Sequence, residues 1–367
     1  MSLRTAVVGG GTISDNHLDG LDSMPLTTLA AFCDVDEDRV REVAAEYGIP
    51  GYTDMETMLA EADLDWVHLC TPVGTHLELA TAAIEAGVPV LIQKPITETV
   101  AEYEQLAETA REHGVHVAAV HNHDFDPAMR ELTTALNHGA VGEVRTVEVT
   151  YTGQTYPDSV RRGDWAFELP GGEFEEGLPH PLYMLLRTGG YPTDREDVQV
   201  ITHLRGEYDR PFTYDGAKLQ YKSREDVLCS ATLTPGNVPD KHVTVHGEDG
   251  VLIADLISQT LVTLDRDYQA SPIARARNNL DRAVDRIAGN VKNVKSVVEQ
   301  RRNDDWATRT EMDAHAYQFE AEALALTGDR EPPVPLEEAG WTIRLMEAIR
   351  DAADAEVEVA QDVSATD

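Results

Sequence analysis

Two periods of apolar and polar residues divide this 367-residue chain. Up to about residue 120, short unbroken apolar runs (Thr5 to Val8, Leu29 to Cys33, Trp66 to Cys70, Val88 to Ile92, Val115 to Val120) alternate with amphipathic stretches of helical spacing. Strands apolar on both faces are covered by helices on each side, so this order predicts a parallel sheet of strand-helix units. After a helix to about Asn137 the pattern alternates by two, in Arg145 to Thr152, Val198 to Leu204, Val227 to Leu233, His242 to His246 and Leu261 to Leu264. That period predicts an open, mostly antiparallel sheet with one wet face or one partner face. Two late helices, Asp313 to Leu326 and Leu336 to Asp354, flank Pro332-Pro333. The expected fold is α/β plus α+β, with one domain over 1–122 and a second over 123–367.

The first strand runs straight into Gly9-Gly10-Gly11-Thr12-Ile13-Ser14 and an amphipathic helix start. Strand, glycine turn and helix are the context of an N-terminal Rossmann dinucleotide-binding domain, though glycines alone read equally as an ordinary turn. Gly9 permits the tight turn and Gly11 a close approach to pyrophosphate, while Thr12 and Ile13 lie at the helix start with its free amides. The second strand ends in Asp34, twenty residues beyond the glycine turn, where a carboxylate can take both ribose hydroxyls. Neither Val35 nor Asp36 is the cation that a 2′-phosphate needs, which favours NAD over NADP. An N-cap for the helix Asp36 to Tyr47 is the plainer role for Asp34. Thr71 and Pro72 end a further strand beside the expected cofactor, and His76 opens the following helix.

Lys94 is the only lysine in the first 217 residues of a chain with 6 lysines and 24 arginines. It ends the apolar run before Pro95, at the sheet edge where ligands of such folds bind. An ammonium there can be tuned in pKa and aimed at a reacting oxygen; a snorkelling strand-end lysine is the bland alternative. Downstream, Glu176 and His180 are four apart, which on a helical turn puts carboxylate and imidazole on one face. That pairing suits a general acid/base, while a histidine satisfied by a helix carbonyl is the commoner use of the spacing.

Composition narrows the setting. The formal net charge is −36, with acidic residues scattered along the chain, so generic binding to nucleic acid is excluded. A diffuse carboxylate surface with arginine replacing lysine suggests a halophilic, high-salt cytoplasm. Cys33, Cys70 and Cys229 are odd in number and far apart, as expected of free thiols in a reducing compartment. No run of 18 apolar residues exists and the chain opens on a strand, so a cytoplasmic protein is expected.

Taken in order, the glycine turn, Cys33-Asp34, Thr71-Pro72 through His76, Gln93-Lys94-Pro95, Asn122 before an aromatic and Pro127, Gly171-Gly172 to His180, and His246 to Gly250 resemble the Gfo/Idh/MocA oxidoreductases. That family includes glucose-fructose oxidoreductase and inositol dehydrogenases. The resemblance implies hydride transfer between NAD and a secondary hydroxyl of a sugar, cyclitol or sugar derivative, with Lys94 and His180 carrying the proton chemistry. Cofactor contacts are also expected at Gln93 and Lys94, and the open face of the second sheet is expected to form a homodimer or homotetramer. Gln93 stands where the family usually has glutamate, and Glu176 where it usually has aspartate. Losing a charge beside Lys94 lowers the lysine's proton affinity. Asn122, Tyr156, Arg161, Trp165 and Tyr183 are candidate substrate contacts. A redox-neutral NAD-using glycosidase or isomerase and a non-catalytic dinucleotide sensor are the alternatives. No metal site is expected, since His121, His123 and Asp124 lack a clear further ligand.

Residues 272–302 stand apart. Apolar residues at helical spacing and eight basic against three acidic residues predict a helical insert. It either packs on its own sheet or a sister subunit, covers the active-site mouth, or rests on anionic lipid.

Overall fold

The unbroken apolar runs form six parallel strands, β1 (Leu3–Val8), β2 (Thr27–Cys33), β3 (Gly51–Tyr52), β4 (Trp66–Leu69), β5 (Val90–Ile92) and β6 (Val117–Ala119), in the order β3-β2-β1-β4-β5-β6. The structure, a computed structural model, describes residues 2–161, 163–265, 272–303, 305–328 and 330–366. Helices α1 (Ser14–Ser23), α2 (Glu37–Tyr47), α3 (Met55–Glu61), α4 (His76–Glu85) and α5 (Val100–His113) connect the strands. Their ends follow from local chemistry. Asp36 caps α2 by accepting from the Asp38 amide, Thr99 and Glu102 form a capping box on α5, and Gly48 and Gly114 stop both helices in the left-handed region.

The chain divides into two compact units, Met1–Asn122 with Asp304–Ile343, and His123–Asn303 with Arg344–Asp367. This differs from a continuous second domain over 123–367. Helices α10 (Trp306–Met312) and α11 (Ala314–Leu326) return to the first unit, where Trp306, Ala316, Phe319 and Ala323 share one core with Val7, Leu18, Phe32 and Leu91. Gln318 on α11 also closes the β6 edge: its Nε2 donates to the Ala119 carbonyl at 2.8 Å, and its Oε1 accepts from the His121 amide at 3.1 Å. Buried residues lie on several sides of α11, so no single stripe announces which sheet it covers.

In the second unit, α6 (Pro127–Asn137), β7 (Val144–Gly153), α7 (Gly172–Glu176) and α8 (Pro179–Gly189) precede β8 (Gln199–His203), β9 (Gly216–Lys222), β10 (Leu228–Pro235), β11 (Asp240–Gly247), β12 (Gly250–Asp255) and β13 (Thr260–Asp265). The seven strands are ordered β13-β12-β11-β7-β10-β9-β8, antiparallel except for the β7–β10 pair. β9 and β12 were not anticipated, although β9 alternates buried and exposed residues along its length. One sheet face buries Val147, Leu219, Ala231, Leu233 and Val243, with α8 close enough that Gly189 lies against Cys229 and Val147. Helix α9 (Pro272–Arg302) fills the expected insert, and α12 (Leu336–Thr366) spans the second of the two late helical stretches. All three cysteines are free and buried. Among the described residues no helix is long and apolar enough to cross a membrane.

Candidate functional site

In the first unit the strand order reverses between β1 and β4, the place where open α/β sheets bind ligands. Gly9 turns there with φ +97°, and a Cβ on it would stand 2.7 Å from the Cys70 carbonyl and 2.9 Å from the Thr71 methyl. Only glycine fits. A Cβ on Gly11 would meet nothing within 4 Å, and the first turn of α1 has Ile13 at its N-cap and no side-chain cap. Thr12 and Ile13 lead into the first turn of α1 beside open space, where the Ser14 and Asn16 amides donate to the Gly11 and Ile13 carbonyls at 2.9 and 3.2 Å and the helix dipole's positive end suits the pyrophosphate of a dinucleotide.

The Asp34 carboxylate accepts from the Gly10 amide at 2.6 Å and the Asp36 amide at 2.8 Å. These two bonds fix its position at the end of β2 and leave lone pairs for ribose hydroxyls. Arg39, absent from the sequence-based candidates, lies over Gly10 and is already paired with Asp15 and Glu42. An i+5 residue on the next helix has no motif of its own to mark it.

Thr71 accepts from the Thr75 hydroxyl at 2.8 Å, and Pro72 precedes a single 3₁₀ turn, Val73–Thr75. His76 is fully buried. Its ring nitrogens face the Thr71 carbonyl at 2.9 Å and the Pro95 carbonyl at 3.0 Å, so this side chain ties the β4 loop to the β5 loop and has no nitrogen left for a ligand.

Lys94 is buried at 8% exposure, two residues past β5. Its neighbour Gln93 is anchored through the backbone, by its amide to the Leu69 carbonyl at 2.9 Å, and through the side chain, by Nε2 to His17 Nε2 at 2.7 Å. His17 in turn lies 2.8 Å from His68, Nδ1 to Nδ1. Burial pushes the His68 pKa down to about 3; burial first, and then His68 and His315, hold His17 well below its usual range. Both rings are thus neutral. With Gln93 donating, His17 carries its proton on Nδ1 and His68 on Nε2, where no acceptor lies among the described residues.

The second unit holds a cavity of about 360 Å³ lined by His180, Glu176, His123, Arg161, Lys241 and Glu173, among others. Glu176 and His180 are not on one helical turn as their spacing suggested. α7 ends at Glu176 and Pro179 starts α8, because proline at the first helical position accepts a new start and not a continuation. Both side chains nonetheless reach the cavity. Nδ1 of His180 is 2.7 Å from the Tyr183 hydroxyl, whose oxygen also accepts from the His123 amide at 3.0 Å. Burial, followed by the charge of Asp124, raises the Tyr183 pKa well above normal, so the phenol keeps its proton.

Of the five candidate substrate contacts, Arg161 lines the cavity and Tyr183 stands behind His180. Tyr156 bonds Asn237 at 3.3 Å, and neither it nor Trp165 lines the cavity; Asn122 belongs to the first unit. His123 and Lys241 were missed. The His123 ring meets His180 edge-on at 4.5 Å between centroids, and Lys241 Nζ donates to the Tyr151 hydroxyl at 2.8 Å. Burial, and secondarily Arg161, lowers the Lys241 pKa against the pull of Asp126. Lysine scarcity, which singled out Lys94, applied equally to Lys241.

Residues 3–121 match a family described as an oxidoreductase family with an NAD-binding Rossmann fold. D-apiose dehydrogenase of Paraburkholderia graminis is 30% identical over 161 residues, 42% of this chain and 43% of that protein. Myo-inositol 2-dehydrogenase of Thermotoga maritima is 25% identical over 267 residues, 71% of this chain and 78% of that protein. The chain thus spans under half of one relative and over three quarters of the other. In three dimensions, the WlbA dehydrogenase from Bordetella pertussis, crystallised with NADH and UDP-GlcNAcA, superposes with a TM-score of 0.72 at 20% identity, covering 97% of this chain and 96% of that one.

Proposed function

From a chain whose first domain belongs to the Gfo/Idh/MocA family of NAD-binding oxidoreductases, we propose an NAD-dependent dehydrogenase acting on a secondary hydroxyl of a sugar, cyclitol or sugar derivative. The observation that carries it is the second unit's cavity: at about 360 Å³ it suits a small polyol, and it presents His180 held through Nδ1 by Tyr183. With Nδ1–H donated to the phenol oxygen, the neutral imidazole carries its basic lone pair on Nε2. That nitrogen takes the hydroxyl proton. Lys94 hydrogen-bonds the same oxygen and stabilises its developing negative charge. Bound NAD supplies the hydride acceptor. Glu176, buried in the cavity wall beside His180, favours the imidazolium that forms.

NAD is preferred to NADP. Asp34 accepts ribose hydroxyls and repels a 2′-phosphate, while the guanidinium nearest to it is committed to Asp15 and Glu42. The exposed sheet face, with Lys218, Gln220 and Thr232, serves self-association. The acidic surface suits a high-salt medium.

A screen of sugars, cyclitols and sugar acids with NAD at molar salt tests the reading, following NADH absorbance. Net NADH formation with at least one polyol is expected. Turnover of a substrate without net NADH points instead to the redox-neutral glycosidase or isomerase, and no turnover with any class removes the dehydrogenase.

A further inference from the structure

Two cations meet in the wall of the second unit's cavity. Lys241 on β11 stands in register with Tyr151 on β7 and gives one of its three ammonium protons to that tyrosine's hydroxyl at 2.8 Å. Arg161 lines the same cavity from the loop after β7, close enough to be one cause of the lowered Lys241 pKa.

Among the described residues neither cation forms an ion pair. In a chain with 66 acidic and 30 basic residues that is unusual: Arg39, Arg187, Arg309 and Arg350, also partly buried, each hold a carboxylate. The carboxylates around the cavity are engaged elsewhere. Glu173 accepts from the Arg161 backbone amide at 3.0 Å, Glu176 stands beside His180, and Asp126, which pulls the Lys241 pKa up, lies 2.7 Å from His123.

Taking an ammonium out of water beside a like charge costs free energy that a counter-ion recovers. Here the counter-ion has to come from outside the chain. Lys241 keeps two donors, and the guanidinium of Arg161 offers a planar fork that fits the oxygens of a carboxylate or phosphate. Strands supply Tyr151, Thr234 and Lys241 to the cavity wall, while helices supply Glu176 and His180, so one molecule can meet the cations and the imidazole together. The net charge of −36 does not oppose an anion at molar salt, where the screening length is about 3 Å and only contacting groups act. We propose that the substrate carries an anionic group, a carboxylate or a phosphate, held by Lys241 and Arg161 while its secondary hydroxyl faces His180, which rests on the dehydrogenase reading of the same cavity. The anion takes no part in the hydride transfer. It orients the substrate and selects it from neutral polyols.

The test is calorimetric titration of the NAD-loaded full chain in molar KCl with neutral polyols and with the aldonates and polyol phosphates of the same configurations. At least one anion is expected to bind about tenfold or more tighter than its neutral counterpart, and which class does so separates a carboxylate site from a phosphate site. Lys241→Met and Arg161→Gln should each weaken that anion about 10- to 100-fold and leave the neutral polyol unchanged. Arg161 is exposed, so Arg161→Gln reads the site even where Lys241→Met does not fold. Anions that bind no tighter than their neutral counterparts, or variants that weaken both alike, overturn the proposal. NADH formation over the same panel reads the dehydrogenase separately. Tight anion binding lost in the variants, without NADH, supports the anion site and removes the dehydrogenase; NADH formed from neutral polyols with no preference for anions removes the anion site and keeps the dehydrogenase.

Discussion

The carboxamide of Gln93 donates to Nε2 of the buried His17 at 2.7 Å, one residue before Lys94. A neutral side chain at 93 is therefore matched to a neutral imidazole behind it. Replacing it by glutamate sets a carboxylate against the His17 lone pair and adds a negative charge beside Lys94. Gln93→Glu is expected to move the Lys94-dependent limb of the pH–rate profile upward by about one unit and to cost about 1–3 kcal/mol of stability. A profile superimposable on the wild type would sink the link between the two residues.

His68 sets an acid limit on stability. Its folded pKa of about 3 lies below its value of 6.5 in the unfolded chain, so the unfolded state binds the extra proton as pH falls. The stabilisation is whole above about pH 6.5 and is lost progressively toward pH 3, amounting to about 2 kcal/mol at pH 5. His17 and His76, depressed in the same direction by burial, steepen the loss. Urea unfolding at pH 7 and pH 5 checks this, with His68→Phe expected to show the smaller difference between the two values even if it starts less stable.

His180→Ala and Lys94→Ala are each expected to lower turnover by about 10²- to 10⁴-fold while NAD binding, followed by fluorescence titration, survives. Wild-type rates in both variants would remove them from the chemistry.

Tyr183→Phe keeps the ring and deletes the oxygen that holds His180 Nδ1 and the His123 amide. Turnover should fall about tenfold or more with KM little changed, and the pH profile should shift, because the histidine loses its orienting partner and not its contact with substrate. A rise in KM alone would make Tyr183 a packing residue.

Asp34→Ser removes a charged acceptor and leaves the Gly10 amide without its partner. Hydrogen bonds to charged groups are worth about 1.5–3 kcal/mol, so KM for NAD should rise about 10- to 100-fold, and NADP should become usable. Unchanged NAD kinetics would show that the ribose lies elsewhere.

The relation between pattern and structure differs from element to element. Unbroken apolar runs and period-two runs report burial on two faces or one, and that local property marked the two sheets, the glycine turn at Gly9 and the lysine at the end of a buried run. α10 and α11 were not assigned to the first unit, because buried residues on several sides of a helix do not name the sheet they will meet. The break between Glu176 and His180 was visible as Pro179 but was read as one turn.

What the chain determined by itself was thus its local periodicity, its charge and its rare residues, which depend only on neighbours in sequence. What tertiary structure decided were the partners: His17 and His68 behind Gln93, Tyr183 behind His180, Lys241 and His123 in the cavity wall. Gln93 and His17 are 76 positions apart, and a hydrogen bond at that separation leaves no periodic trace. The apolar spacing of α9 joins the two. It is written in the sequence, but only packing on β13 turned that face outward.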